Sequence, residues 1–195
     1  MRAGTAAEDR LSPLASQAVF RVLLASLARP GRVFELPEVG VAAEAGPGIV
    51  PLALAVIGSK VAVAGSPSWQ ERICRATGAQ PVGLEEADLA AIYGTAEAQT
   101  VSRVRRGSAA APEDGAKVGL ACRALATGGP GLTTVELSGP GVPGRTRLGV
   151  DGVDPEVFGA LLAANAMFPA GVDVWLVDER GQVAGLPRSA RLAVI

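Results

Sequence analysis

Residues 60–82 read KVAVAGSPSWQERICRATGAQPV, and this stretch decides the fold class. Its first five residues form a short apolar run of the kind that predicts a buried strand. Ser66 and Pro67 then open a surface helix, which carries Trp69 on its apolar face and closes on Gly78. Residues 79–82 predict another strand. A strand, a helix and a strand in this order favour a sheet covered by helices.

Upstream, Ser12 and Pro13 predict the start of a helix over residues 12–28, since serine caps helices and proline fits their first turn. Arg29, Pro30 and Gly31 end it. Phe20 and Leu24 lie one turn apart on this helix, so we expect both to enter the core. Residues 32–36 then alternate as a strand does, and residues 49–57 predict a short packed helix.

The downstream half predicts mainly strands. We predict a short helix over residues 84–93, a hairpin of strands 118–125 and 132–137 around the turn Gly-Gly-Pro-Gly, a strand over 145–150, a helix from 154 to about 167, and a closing hairpin of strands 172–177 and 182–186. The whole pattern predicts an α/β fold with a mixed sheet flanked by helices, in one domain over residues 1–195.

Composition excludes several functions. The chain has 18 basic and 19 acidic residues, a balance that gives no field to attract nucleic acid. It has no histidine, which removes the commonest metal ligand and general base. Cys74 and Cys122 lie far apart, so they predict core residues rather than a disulfide framework or a zinc site.

The longest apolar run, residues 49–57, is far shorter than the ~20 residues that cross a bilayer. The first 13 residues carry acidic side chains and lack the apolar core of a secretory signal. We therefore expect a cytoplasmic protein without a membrane span.

Two glycine motifs are interpreted as loops. Residues 139–144 match the spelling GxGxxG, but a strand rather than a helix is predicted after them, and two prolines remove amide donors. Gly58-Ser59-Lys60 lacks the earlier glycine of a phosphate-binding loop. Neither motif predicts a nucleotide site.

Arg103, Arg105 and Arg106 form the densest basic cluster. The planar guanidinium group suits phosphate or phosphonate oxygens, so an anion site is one interpretation. The interpretation we favour is a solvated loop or a protein interface, because the cluster has no second group of donors. Arg21, on a different face of the first helix from Phe20 and Leu24, is a further candidate for pairing or binding.

Asp173 and Arg188 are the candidate structural pair. A carboxylate at the start of an apolar strand is unusual unless it caps or pairs, and Arg188 follows the second strand of the closing hairpin. We expect such a pair to hold structure rather than to act chemically.

Three stretches resemble the PhnH subunit family of the bacterial carbon–phosphorus lyase core complex. They are FRVLL at 20–24 with ARPG at 28–31, Gly107 with PEDGA at 112–116, and FPAGVD at 168–173 with LPRS at 186–189. Their order and spacing suit a chain of this length, so the resemblance covers nearly all of it.

The resemblance implies a fold similar to that of pyridoxal-phosphate-dependent transferases, without that cofactor. It also implies a complex with PhnG, PhnI and PhnJ subunits, and a homodimer when the chain is isolated. Such a complex first transfers a phosphonate to the ribose of ATP, forming ribose 1-phosphonate 5-triphosphate, and a radical-SAM subunit later cleaves the carbon–phosphorus bond.

Within that complex, we expect a structural or assembly subunit with no catalytic residues, cofactor or metal of its own. The alternative is a stand-alone transferase or small-molecule-binding protein that uses the arginine cluster to hold a phosphonate or a nucleotide. Two cysteines are too few for an iron–sulfur cluster, so the chain is not the radical-SAM subunit.

Overall fold

The computed structural model of the chain describes residues 9–40, 45–129 and 131–195. Most of the residues on which the predicted absence of a signal sequence depends therefore lie outside the described ranges. Pro130 of the predicted turn also lies outside them. The strands are β1 (Val33–Glu35), β2 (Lys60–Ala64), β3 (Gln80–Pro81), β4 (Leu89–Ile92), β5 (Lys117–Ala121), β6 (Ala124–Ala126), β7 (Thr133–Ser138), β8 (Arg145–Asp151), β9 (Asp173–Val177), β10 (Gln182–Leu186) and β11 (Arg191–Val194).

The helices confirm the predicted alternation in the first half of the chain. They are α1 (Pro13–Ala28), α2 (Ile49–Leu54), α3 (Pro67–Thr77), α4 (Ala98–Ser102) and α5 (Pro155–Ala164), with short 3-10 turns at Gly46–Gly48 and Pro112–Asp114. Ser12 caps α1 as expected, its hydroxyl oxygen accepting from the Ala15 amide at 3.2 Å. Within the described ranges, no helix is both long enough and apolar enough to cross a membrane.

The central layer is a mixed sheet of seven described strands in the order β1-β10-β9-β5-β4-β2-β3. Strands β9, β5, β4, β2 and β3 run parallel, whereas β10 and β1 are antiparallel additions. The predicted closing hairpin is β9 and β10, which pair from Val183 with Val177 to Leu186 with Val174. The fold is therefore α/β with a mixed sheet and flanking helices, as predicted.

Helices cover one face of this sheet, and a second sheet covers the other. Trp175 and Val177 face a core shared with α1, α2 and α3, while Val174 and Leu176 face a second core. This alternation follows from the two-residue period of a strand. The second core contains α5 and the antiparallel sheet β11-β7-β8-β6.

Helix α1 lies unusually close to the central sheet. A side-chain carbon built at Gly185 of β10 would lie 2.6 Å from the backbone nitrogen of Leu27, so only glycine permits this approach. The indole nitrogen of Trp175 donates to the Leu23 carbonyl oxygen at 2.9 Å and fixes the helix along its axis. The position of α1 is thus set by backbone contact and one buried hydrogen bond.

Two predicted elements are wrong. The helix predicted over residues 84–93 is the buried strand β4, because a central parallel strand is apolar on both faces and shows no alternation. The hairpin predicted for 118–125 and 132–137 does not form. Strand β5 pairs with β4 and β9 in the central sheet, whereas β7 pairs with β8 and β11 in the other.

The chain leaves the central sheet between β5 and β6, where the Asp178 carboxylate accepts from the Leu125 amide at 3.2 Å. That tertiary contact has no local sequence signal. The predicted helix from 154 to 167 ends three residues early, at Ala164. Cys122 is buried as expected, whereas Cys74 is only partly buried.

Candidate functional site

Asp173 and Arg188 form an ion pair at the amino end of β9. The carboxylate oxygen Oδ2 of Asp173 accepts from Nη2 and Nε of Arg188 at 2.8 and 3.2 Å, and Oδ1 accepts from the Arg188 amide at 2.9 Å. The two side chains are 20 % and 13 % exposed. The guanidinium group also donates to the Pro112 carbonyl oxygen at 2.5 Å. Arg188 therefore joins the closing hairpin to the 112–115 segment.

Backbone contacts tighten the same junction. The Gly171 amide donates to the Arg106 carbonyl oxygen at 2.7 Å. A side-chain carbon built at Gly115 would lie 2.0 Å from the Gly171 carbonyl oxygen. The side chain of Asn165 brackets Val172, accepting from its amide at 2.8 Å. The central and C-terminal segments that resemble the family therefore meet at this junction. The charged side chains of the junction bind backbone groups of the chain rather than facing an open site.

The structure gives each of the three clustered arginines its own partner. Arg105 bridges Asp88 and Asp114, with both nitrogen–oxygen distances at 2.9 Å. Arg103 pairs with Glu85 on the surface at 2.7 Å. Arg106 donates to a backbone carbonyl oxygen of α4 at 3.1 Å. These contacts do not bring the three guanidinium groups onto one anion, and the role of the cluster stays a prediction.

The expected burial of Phe20 and Leu24 is wrong. The two residues are 46 % and 54 % exposed, and α1 instead buries Val19 and Leu23. The buried stripe is displaced by one residue because α1 packs against β10 along a line set by Gly185. Two large apolar side chains are left at the edge of the helix.

A cavity of about 400 Å³ opens beside these two side chains. It lies at the amino ends of β2, β4 and β5, and its walls are mostly apolar. The lining residues are Phe20, Leu23, Leu24, Leu27, Leu54, Ser59, Asp88, Leu89, Lys117 and Trp175. We call this cavity and its rim the α1 groove.

Sequence reasoning missed the polar residues of the α1 groove. Asp88 comes directly before β4, and Lys117 is the first residue of β5. The amino ends of neighbouring parallel strands share one sheet edge, and the Lys117 amide donates to the Asp88 carbonyl oxygen at 3.0 Å. Correct strand assignment for 89–92 would have placed the two residues together.

A second cavity, of about 570 Å³, lies at the carboxyl ends of β4 and β5, where open α/β sheets usually bind ligands. Its charged lining residues are Arg123, Asp151, Asp154 and Glu179. Arg123 is paired with Asp151 at 3.3 Å, so the lining has an excess of negative charge. That charge disfavours a phosphate or phosphonate ligand.

Cys122 also lines this second cavity. Burial raises the pKa of its thiol, and the neighbouring carboxylates Asp178 and Asp151 raise it further. The thiol therefore stays protonated near neutral pH and is a poor nucleophile. Across the described ranges, no three side chains of the metal-ligating types cluster closely enough to hold a metal ion.

The two lysines do not fit pyridoxal phosphate. Lys60 and Lys117 are the only lysines in the chain, and they begin β2 and β5 at the amino edge of the sheet. A Schiff-base lysine would have to act together with donors for the cofactor's phosphate. The carboxyl ends of the strands, where a ligand would be expected, carry an acidic cavity instead.

Comparison with known proteins agrees with the motif resemblance. The family described as "Bacterial phosphonate metabolism protein (PhnH)" matches residues 10–193. The "Putative C-P lyase subunit protein HtxG" of Stutzerimonas stutzeri is 29 % identical over 178 residues, which cover 90 % of this chain and 85 % of that protein. The chain belongs to the PhnH family of bacterial phosphonate metabolism proteins.

Proposed function

We propose that this chain is a non-catalytic assembly subunit of a carbon–phosphorus lyase core complex, supporting the formation of ribose 1-phosphonate 5-triphosphate from a phosphonate and ATP. Family membership and the name of the S. stutzeri relative support the phosphonate context. The observation that carries the assembly role is that charged side chains stabilise the fold itself. Asp173, Arg188 and Arg105 hold backbone and strand ends together, while apolar side chains of α1 face solvent.

The same chemistry argues against an active site of its own. The chain has no histidine to act as a general base near neutral pH. Lys117 and Asp88 are the ionisable groups that line the α1 groove, and Arg105 and the Lys60 amide already occupy the Asp88 carboxylate. The carboxylate that lines the groove is therefore already engaged in contacts within the fold.

Several finer statements belong to the same proposal. The chain forms one domain over residues 1–195 and works in the cytoplasm with PhnG-, PhnI- and PhnJ-like subunits. It self-associates as a homodimer when they are absent. Its fold is of the pyridoxal-phosphate-dependent transferase kind, without the cofactor.

Co-expression tests this proposal directly. The chain should co-elute with the PhnG-, PhnI- and PhnJ-like subunits encoded by the same genome when one of those subunits carries the affinity tag. When the three other subunits are expressed without this chain, they should form less assembled complex or produce less ribose 1-phosphonate 5-triphosphate. Failure of the tagged partners to retain the chain at micromolar concentration would refute the assembly role.

Variants of the arginine cluster distinguish a role in assembly from a role in catalysis. We expect Arg105→Ala and Arg106→Ala to leave turnover per assembled complex within about threefold of the wild type, since interface and structural contacts change how much complex forms rather than the chemical step. Arg105→Ala should also lower the free energy of unfolding by about 1 kcal/mol, because two partly exposed ion pairs are lost while Asp88 keeps its hydrogen bond from the Lys60 amide. Arg106→Ala, which loses one bond to a carbonyl, is the matched control.

Turnover is measured on the assembled fraction after gel filtration. A loss of about a hundredfold per complex, roughly 2.7 kcal/mol, would mean that these arginines contact the reacting phosphates. The non-catalytic assignment would then be wrong.

A further inference from the structure

Strand β11 is at the edge of its sheet, with one side open. It pairs with β7, and just past the strand the Ile195 amide donates to the Thr134 carbonyl oxygen at 3.0 Å. Alternate residues of an antiparallel pair bond to the neighbouring strand. Ala193 therefore also bonds to β7, while the amide and carbonyl groups of Leu192 and Val194 point outward. Those outward groups have no hydrogen-bond partner among the residues that the structure describes.

The other sheet edges in the described part of the chain are protected. Strand β3 ends in Pro81, which has no amide to donate, and the three-residue strand β1 ends in Glu35. In β6, the Leu125 amide donates to the Asp178 carboxylate. Short strands, prolines, charges and covering bonds are the usual means of keeping an edge from binding another strand. Strand β11 has neither a proline nor a bond across its outer side, and its one charged residue, Arg191, is its first.

Val194 points toward the core but is left half-exposed. It lies opposite Val135 of β7, and Leu192 lies opposite Leu137. Residues directly opposite each other share a face of the sheet, so all four point toward the second core. Three of them are buried, whereas Val194 is 43 % exposed. A strand added beside β11 would cover it.

We propose that β11 pairs with β11 of a second copy of this chain, antiparallel about a two-fold axis at Ala193, so that the two four-stranded sheets join edge to edge. Backbone hydrogen bonds then link Leu192 of each copy with Val194 of the other. This proposal rests on the self-association proposed above and adds the surface and the register.

The sequence of β11 complements itself in this register. On the core side, Leu192 lies opposite Val194 of the second copy, which matches apolar with apolar twice. On the other side, Ala193 lies opposite its own symmetry mate, where side chains come closest and a small residue fits. Arg191 lies opposite Ile195, so no like charges face each other. The contact is small, and we expect a Kd on the order of micromolar.

Single cysteines test the register. Ala193→Cys places two thiols at the axis, where the α-carbon atoms are about 4.5 Å apart and a disulfide can form. Arg191→Cys, on the same face of the same strand, places them four residues apart along it, about 13 Å, which a disulfide cannot span. Both variants carry Cys74→Ser, because Cys74 is partly buried, whereas Cys122 is buried. Under mild oxidation, Ala193→Cys should form a covalent dimer at least about tenfold faster than Arg191→Cys.

A lysine tests the apolar contact. In sedimentation, Val194→Lys should raise the Kd of the dimer by about tenfold or more, because the ammonium group would lie opposite Leu192 of the second copy. Val56→Lys is the matched control, since this valine is 69 % exposed in the loop after α2. It should leave the Kd within about twofold of the wild type. Circular dichroism and thermal melting check that each variant keeps the fold.

The outcomes separate this contact from the proposed function. Equal cross-linking of the two cysteine variants, or a wild type that self-associates no better than Val194→Lys, would place the dimer contact elsewhere, although self-association stands. A wild type that is monomeric across micromolar concentrations would refute both self-association and this contact, while co-elution still tests the assembly role. If that monomer co-elutes with the other subunits and Val194→Lys does not, the strand beside β11 belongs to another subunit and the proposal is wrong.

Discussion

Replacing Arg188 by methionine is expected to lower the free energy of unfolding by about 3 kcal/mol. The substitution keeps much of the length and apolar stem of the side chain but removes the partner of Asp173 and the donor to the Pro112 carbonyl oxygen. A largely desolvated carboxylate without its cation costs far more than the pair contributes, and 3–5 kcal/mol is typical of fully buried pairs. The lower end applies because Asp173 is 20 % exposed and keeps the Arg188 amide.

Arg145→Met is the matched control. Arg145 lies on β8 with its side chain 75 % exposed and pairs at 2.7 Å with Glu136, which also has Arg147 at 3.7 Å. Because Arg145 is solvated and Glu136 keeps a second cation, we expect its loss to cost at most ~1 kcal/mol. Both variants are measured by urea unfolding, with the slope checked for constancy. Equal losses for the two arginines, or a loss below about 1 kcal/mol for Arg188→Met, would show that the junction does not depend on this pair.

The same two residues mark how far sequence reasoning reaches. Asp173 at the start of an apolar strand is locally anomalous, and the hairpin turn between them brings Arg188 back to the same sheet edge. Proximity could therefore be predicted from local rules alone. The additional contact from Arg188 to Pro112 spans 76 residues and has no local signal, so it could not.

The arginine cluster shows the opposite case. Three arginines within four residues predict a concentrated positive charge. Asp88 and Asp114, which hold Arg105, are distant from each other in the sequence and meet only because β4 and β5 are adjacent. Because residues 84–93 were predicted as a helix, the adjacency of β4 and β5 could not be predicted. The ion pairs of Arg105 and the position of Lys117 in the α1 groove were missed for the same reason.

Helix α1 was predicted to within a residue at each end, yet its orientation about its own axis was not. The apolar residues Val19, Phe20, Leu23 and Leu24 offer two neighbouring stripes, and helical periodicity does not distinguish them. The choice is made by the sheet, where Gly185 lets the helix backbone approach and Trp175 bonds the Leu23 carbonyl oxygen. A glycine in a strand predicts such a close approach only when the element that packs against it is already known.

Gly185→Ala should therefore lower the free energy of unfolding by about 3 kcal/mol, at the upper end of the usual cost of overpacking. The added methyl group would lie 2.6 Å from two backbone atoms of α1, Leu27 N and Ser26 C, and backbone cannot rotate away as a side chain can. The helix must move outward, which strains the Trp175 bond to Leu23. Circular dichroism during urea unfolding gives the change.

Gly159→Ala makes the same chemical change at a position where the added methyl group meets no other atom. Gly159 lies within α5, is exposed, and has nothing within 4 Å of its added carbon. Alanine there should raise the free energy of unfolding by about 0.5–1 kcal/mol, since glycine loses more backbone entropy in a helix. If both variants changed stability in the same direction, close backbone approach would not explain Gly185. If they diverge as expected, the close approach of the α1 backbone, and not the added methyl group as such, accounts for the cost at Gly185.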